Sequence, residues 1–273
     1  MKYFYVHIGL QPNWLYDSID FTIKNDRHAD IFLCGDINNK INGVTFLNLQ
    51  DIASETTKLA MSSHLWKHHP NPLWRNSIYR IFILMDMMEH LQAKEFVHFD
   101  SDVLIFHSFS KIKKHIKTNR KGLHITPCND KELVFGYSYC NCKEKMKKIC
   151  KIILKATNDN TFLKSLTEGH PNEMQILGGV QKKYPELITS LNTIPDSNEE
   201  YVFDPSSYGQ YLFGTHKDKK AGWYGDHHWI GKLIGEHKLN VEIKDNIPYA
   251  NKSKIVNLHI HSKQTGIIKQ QLL

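Results

Sequence analysis

A chain of 273 residues, 41% hydrophobic and 23% charged, has the makeup of a folded protein, long enough for one substantial α/β domain and too apolar for extensive disorder. Lysine and arginine exceed aspartate and glutamate by 35 − 28 = +7, so the surface is expected to attract anions: nucleotide diphosphates, nucleic acid and acidic membranes all qualify. With no run as long as a spanning helix and no secretory-signal pattern at the start, a cytoplasmic protein with reduced thiols at its five cysteines is expected; Cys140-Asn141-Cys142 with Cys150 lacks the paired spacing of zinc sites.

Tyr3 to Gly9 reads as a first strand, Asp17 to Asn25 as a helix and Ala29 to Cys34 as a second strand closed by Gly35-Asp36. Such a β-α-β opening suits a nucleotide-binding half of parallel strands, which makes Ile8 with its following loop and Asp36 candidate nucleoside contacts, or simple turn residues. Residues 61 to 74, with His64, His68, His69 and two prolines, read as a loop whose imidazoles either face an anionic ligand or lie in solvent. From Arg75 the spacing becomes helical. Ile78, Ile81, Phe82, Met85 and Met88 form a core-facing stripe, and Asn76 and Arg80 share the opposite face. Arg80 is thereby free to meet a diphosphate or a carboxylate, or to be solvated.

Glu95 to Phe106 is a run of apolar and aromatic residues interrupted by Asp100-Ser101-Asp102, and it reads as a buried strand of a mostly parallel sheet. Unpaired carboxylates inside such a strand are very costly, so Asp100 and Asp102 are expected at its end, facing a cleft and a hard divalent cation such as Mn²⁺ or Mg²⁺. The alternative is a plain turn between strands.

Beyond this run, Lys111 to Lys121 and Lys143 to Lys155 read as amphipathic helices with lysine on the wet face, a surface that also suits peripheral contact with an anionic membrane. Neither has the interleaved aromatics of a nucleic-acid platform, so no nucleic-acid partner is expected. Asn172 or Pro171 opens a short helix that begins with Glu173, an acidic residue that the helix dipole stabilises in the first turn. Tyr201 to Gly214 gives a strand, a turn and a short helix, and Thr215 to Trp229 a loop with Trp223, Tyr224, Asp226, His227 and His228 that suits either a lid over an acceptor sugar or a loop packed around its two aromatics. In Ile255 to Lys263, alternation places Val256, Leu258 and Ile260 on one face and Asn257, His259 and His261 on the other, which makes the two histidines candidate metal ligands and Lys263 a candidate phosphate partner.

Phe96-Val-His-Phe-Asp-Ser-Asp-Val-Leu-Ile-Phe106 resembles the D-x-D signature of GT-A glycosyltransferases, and the order of Ser77-x-x-Arg80, that strand, the Glu173 helix and a late histidine followed by lysine is similar to theirs. Phe203-Asp-Pro-Ser-Ser-Tyr-Gly-Gln-Tyr-Leu212 is similar to a stretch in some microbial and viral transferases. The His-x-x-Gly-x-x-Lys-Pro-Trp pattern of family eight is absent, which leaves open which histidine binds. The resemblance implies a single Rossmann-like α/β domain over 1–273 with a mixed, mostly parallel sheet flanked by helices, residues 1–106 serving the nucleotide sugar and 107–273 the acceptor. It also implies Mn²⁺ or Mg²⁺ on Asp100, Asp102 and His259 or His261, a donor held by Ile8, Asp36, Arg80, Asp100, Ser101 and Lys263, a glycan or glycoconjugate acceptor, and Glu173 as the general base on the acceptor hydroxyl, with Asp226 and Asp204 as rivals. Two other readings stand beside it: a sugar-nucleotide pyrophosphorylase, for which Gly9 to Trp14 is a poor triphosphate loop, and a non-catalytic basic protein that binds glycan or nucleic acid.

Overall fold

Side chains along a strand point alternately to the two faces of a sheet, and β1 (Lys2–Val6) and β2 (Asp30–Gly35) are apolar on both. Phe4, Phe32 and Cys34 enter one core; Tyr3, Tyr5, Ile31 and Leu33 enter another on the opposite face. The structure, a computed structural model, describes residues 1–63, 65, 71–116, 119–168, 171–196, 199–217 and 220–272; His64, His68 and His69 lie outside them. Helix α1 (Asn13–Asn25) joins the first two strands and starts four residues ahead of the expected Asp17, directly behind Pro12.

Strand β3 (Val44–Asn48) extends the sheet in parallel beside β2 and is followed by α2 (Leu49–Ile52) and α3 (Glu55–Ser62). Next comes α4 (Pro72–His90), which begins at Pro72 rather than at Arg75 because Asn71 accepts the Leu73 N–H and proline takes the first helical position, where no donor is needed. The expected stripe of α4 is buried in the first core.

The run from Glu95 to Phe106 is not one strand. It divides into β4 (Phe96–His98), parallel to β1 in the main sheet, and β5 (Val103–Ile105), which belongs to a separate two-stranded ribbon. The Val103 N–H donates to the Asp100 carbonyl at 3.1 Å, closing a four-residue turn that lifts both carboxylates out of the apolar layer. The basic segment after it is shorter than expected. It forms α5 (Phe109–Ile112) and a 3₁₀ turn (Lys113–His115), and Ile116 is already extended and buried.

Hairpin β6 (Leu123–Pro127) and β7 (Leu133–Cys140) leads into α6 (Lys143–Asn158), whose Met146, Ile149, Cys150 and Ile153 are buried as the spacing predicts. After α7 (Asn160–Lys164), α8 (Glu173–Lys183) and β8 (Ile188–Ser190), the main sheet is complete in the order β3-β2-β1-β4-β7-β6-β8. Only β7 runs antiparallel to its neighbours, so the sheet is mixed and mostly parallel, and helices pack on both faces.

The remainder builds a second sheet and its helices: β9 (Tyr201–Val202), α9 (Ser207–Phe213), α10 (Trp229–Gly235), then β10 (Val241–Lys244), β11 (Ile247–Ala250) and β12 (Ser253–Ile255), with the strands ordered β10-β11-β12-β9. The expected last strand is also two pieces. Past β12, Val256 passes the chain to β13 (Asn257–His259), antiparallel to β5, before α11 (Thr265–Leu272). Among the described residues no helix is long and apolar enough to cross a membrane. All five cysteines are free; Cys140 and Cys150 are buried in the core.

Candidate functional site

The pairing of β13 with β5 sets His259 opposite Val103, directly after the Asp100–Val103 turn. This register gathers groups from five parts of the chain. His259 Nε2 lies 3.1 Å from Asp102 Oδ1 and 3.7 Å from Asp100 Oδ2. Lys263 Nζ pairs with Asp102 Oδ2, and Arg80 reaches from α4 to Asp100 Oδ1 with one nitrogen and to Glu173 Oε1 with another at 2.7 Å. The face of the Phe135 ring on β7 supports the guanidinium, 4.7 Å from Cζ.

The cluster is largely shielded from water: side-chain exposure is 4% at Asp102, 5% at Glu173, 7% at His259 and 13% at Arg80, and reaches 39% only at Lys263. Burial by itself would raise the Asp102 carboxyl, but His259 and Lys263 outweigh it and hold the group well below the usual carboxylate range. At Glu173 the balance reverses. Burial lifts its carboxyl above the ordinary value in spite of Arg80. Glu173 owes its place to Asn172, whose side chain accepts the Gln175 N–H at 2.9 Å and starts α8 there.

Asp100, Asp102 and His259 each offer one ligand atom, and these lie within 4.8 Å of one another. Two carboxylates and an imidazole make a donor set that fits Mn²⁺ or Mg²⁺. His261 stands beside the set rather than in it. Its ring meets that of His259 edge to face at 4.5 Å, its Nδ1 is 3.1 Å from Gln210 Nε2, and burial, followed by the neighbouring His259, pushes it down to about 3.

The stretch Phe203 to Leu212 is the scaffold of this site. Asp204 is fully buried and takes the N–H groups of Ser207, Tyr208 and Gly209 on α9 and of His259 on β13, at 2.7–2.9 Å. Both its oxygens are thereby spent on backbone donors, so it caps a helix and fixes the His259 strand, and as a rival base it is set aside. Gly209 permits that contact: a Cβ there would lie 2.2 Å from the His259 carbonyl oxygen. Asn257 completes the frame, donating to the carbonyls of Gly136 and Asp204.

Asp36 Oδ1 accepts the Gly9 N–H at 2.7 Å, joining the loops after β1 and β2, and Ile8 packs on the core. Ser101 is half-buried in the aspartate turn. Asp226 is exposed in the loop before α10 and takes no part in the charged network.

No protein-family model matches the chain, and no curated protein matches its sequence. Among solved structures it is similar to mouse xyloside xylosyltransferase 1 in its apo form, with 10% identity and a TM-score of 0.47 over 70% of this chain and 86% of that one. The galactosyltransferase LgtC, in complex with donor and acceptor sugar analogs, gives 11% identity and a TM-score of 0.46 over 71% and 76%. A glycosyltransferase involved in glycosylation of the major capsid of PBCV-1 gives 9% and 0.45 over 99% and 98%.

Proposed function

We propose that the chain transfers a sugar from a nucleotide diphosphate sugar, a UDP-sugar foremost, to a hydroxyl of a glycan or glycoconjugate, with Mn²⁺ or Mg²⁺ on Asp100, Asp102 and His259. The observation that carries this reading is the convergence of those three ligands at the carboxyl end of β4, walled by two cations, Arg80 and Lys263. A bound metal would stabilise the charge that develops on the departing diphosphate.

The chain's own groups do the rest. Lys263, the most exposed of the charged set, is free to leave Asp102 for a phosphate oxygen, and Arg80 fixes the Asp100 carboxylate. Glu173 takes the proton of the acceptor hydroxyl as that oxygen attacks. A carboxylate whose proton affinity is raised by burial is a stronger base than an exposed one, and transfer with such a base inverts the anomeric centre. Ile8 and Asp36, where the loops after β1 and β2 meet, receive the nucleoside.

The test is a panel of UDP-, GDP-, CMP- and dTDP-sugars, with and without Mn²⁺, read by thermal shift and by sugar release on the native protein and on Asp102→Asn. One donor should stabilise the native protein only with metal and be slowly hydrolysed, and the variant should do neither. Silence of a folded native protein toward every donor would overturn the reading in favour of a non-catalytic binding protein.

A further inference from the structure

A second set of metal-ligating side chains lies outside the charged network. Cys128 follows β6, Glu132 precedes β7 and His228 precedes α10, and their ligand atoms fall within 4.8 Å of one another. Cys128 is buried and the other two are half-buried. We propose that Cys128, Glu132 and His228 bind Zn²⁺ and that this ion clips residues 220–228, which lead into α10, to the β6–β7 turn.

Three features support a built site over a chance cluster. The backbone is already closed around it: the Trp229 N–H donates to the Cys128 carbonyl at 3.0 Å and the Cys128 N–H to the Glu132 carbonyl at 3.1 Å, so the ligands sit on a fixed frame. Each polar ligand is also held from behind. His228 Nδ1 faces Ser207 Oγ at 3.1 Å, which leaves Nε2 as the ligating nitrogen, and the Glu132 oxygens are met by Asn129 Nδ2 at 2.9 Å and Gln175 Nε2 at 3.4 Å, the outer hydrogen bonds that orient metal ligands. Finally, Cys128 Sγ stands 3.8 Å from Glu132 Oε2, near the roughly 3.5 Å that tetrahedral Zn²⁺ bonds of about 2.3 Å to sulfur and 2.0 Å to oxygen require.

The donor set chooses the metal. A thiolate with an imidazole and one carboxylate suits Zn²⁺ or Co²⁺, whereas Mg²⁺ and Mn²⁺ prefer the oxygen-rich set of Asp100 and Asp102. Three protein ligands leave a fourth position for water. Gln175 stands on α8 two residues after Glu173, so the clip would tie the loop bearing Trp223, Tyr224 and Asp226 to the helix that holds Glu173.

The experiment uses the intact chain, stripped of metal by chelation, and titrates it with Co²⁺ and then with Zn²⁺. A thiolate-to-Co²⁺ charge-transfer band that saturates at one equivalent and is erased by Zn²⁺ is expected, and it needs no variant that has to fold. The band should persist in Asp102→Asn, vanish in Cys128→Ser, and be weakened in His228→Ala with a loss of Zn²⁺ affinity above about 100-fold. Absence of the band in the folded native chain, or its survival in Cys128→Ser, would overturn the site.

Discussion

Arg80 and Glu173, 93 residues apart in sequence, meet at 2.7 Å with 13% and 5% of their side chains exposed, and the same guanidinium holds Asp100. One cation thus bridges two carboxylates from separate elements. Replacing it should cost more than the pair contributes. Arg80→Met leaves the largely buried carboxylates of Asp100 and Glu173 without their shared cation, and a destabilisation of about 3–5 kcal/mol is expected in urea unfolding. Glu173→Gln should cost less, and the double variant should recover at least about 1 kcal/mol of the summed loss, the coupling expected of groups in direct contact. Strict additivity would show that the two do not interact in solution.

Gly209 offers a separate handle on the same site. Its Cα hydrogen points at the His259 backbone, where a Cβ would lie 2.2 Å from the carbonyl oxygen and 3.0 Å from the nitrogen. Gly209→Ala must push α9 away from β13. Overpacking of this kind costs about 1–3 kcal/mol, and the displaced element carries His259. Thermal unfolding should show the loss, and Mn²⁺ titration of the folded variant should show weaker binding than native. Unchanged stability would mean that the helix and strand are less tightly apposed.

Why some of this could be read in advance and some could not is a matter of range. The stripe on α4, the cap at Asn172 and the alternation around Asn257–His259 are local patterns with periods of 3.6 or 2, and they place Arg80, Glu173 and His259 correctly with respect to their own elements. Asp100 and Asp102 stand out because charge inside an apolar run demands an exit. The break at the aspartates was legible as the alternative of a turn between strands, but the membership of its halves in two sheets was not, since β4 and β5 are equally buried and only their partners, β1 and β13, tell them apart. Asp204 and Gly209 escaped for the same reason: their work is done on a strand some fifty residues later. Strand β3, with a mixed burial pattern, offered no clean alternation.

Stability should fall as the solution is acidified, in a way that two enclosed histidines explain. Burial first, and the nearby Arg80 second, push His98 down to about 3; burial, then Lys254 and Lys111, push His107 to about 4. In the unfolded chain both titrate near the ordinary 6.5. From about pH 6.5 down to about pH 4 the unfolded state therefore binds more protons than the native state, so their contribution is complete above pH 6.5 and lost as pH falls toward the folded values. The slope from this pair is at most about 3 kcal/mol per pH unit. Urea unfolding at pH 7 and pH 5 should show the loss, and it should be smaller in His98→Gln/His107→Gln. Equal pH dependence in the two proteins would assign the effect to other groups.

Lys263 permits a prediction with opposite signs in its two arms. It stands in left-handed backbone, with φ of 59°, and its N–H donates to the Ile260 carbonyl at 3.0 Å, a turn that aims the ammonium at Asp102. That ammonium competes with any divalent cation for the same carboxylate. Unit charges about 4 Å apart interact by about 4 kcal/mol at the effective dielectric near a protein surface, and the exposure of Lys263 reduces this to the order of 1–2 kcal/mol. Lys263→Met should therefore bind Mn²⁺ about tenfold more tightly than the native chain when no nucleotide is present. The same variant should bind a nucleotide diphosphate more weakly, because the cation that would turn to the phosphates is gone. Calorimetric titration of metal alone, and then of UDP in saturating metal, reads both arms. Weaker metal binding in the variant would mean that Lys263 organises Asp102 for the ion instead of competing with it.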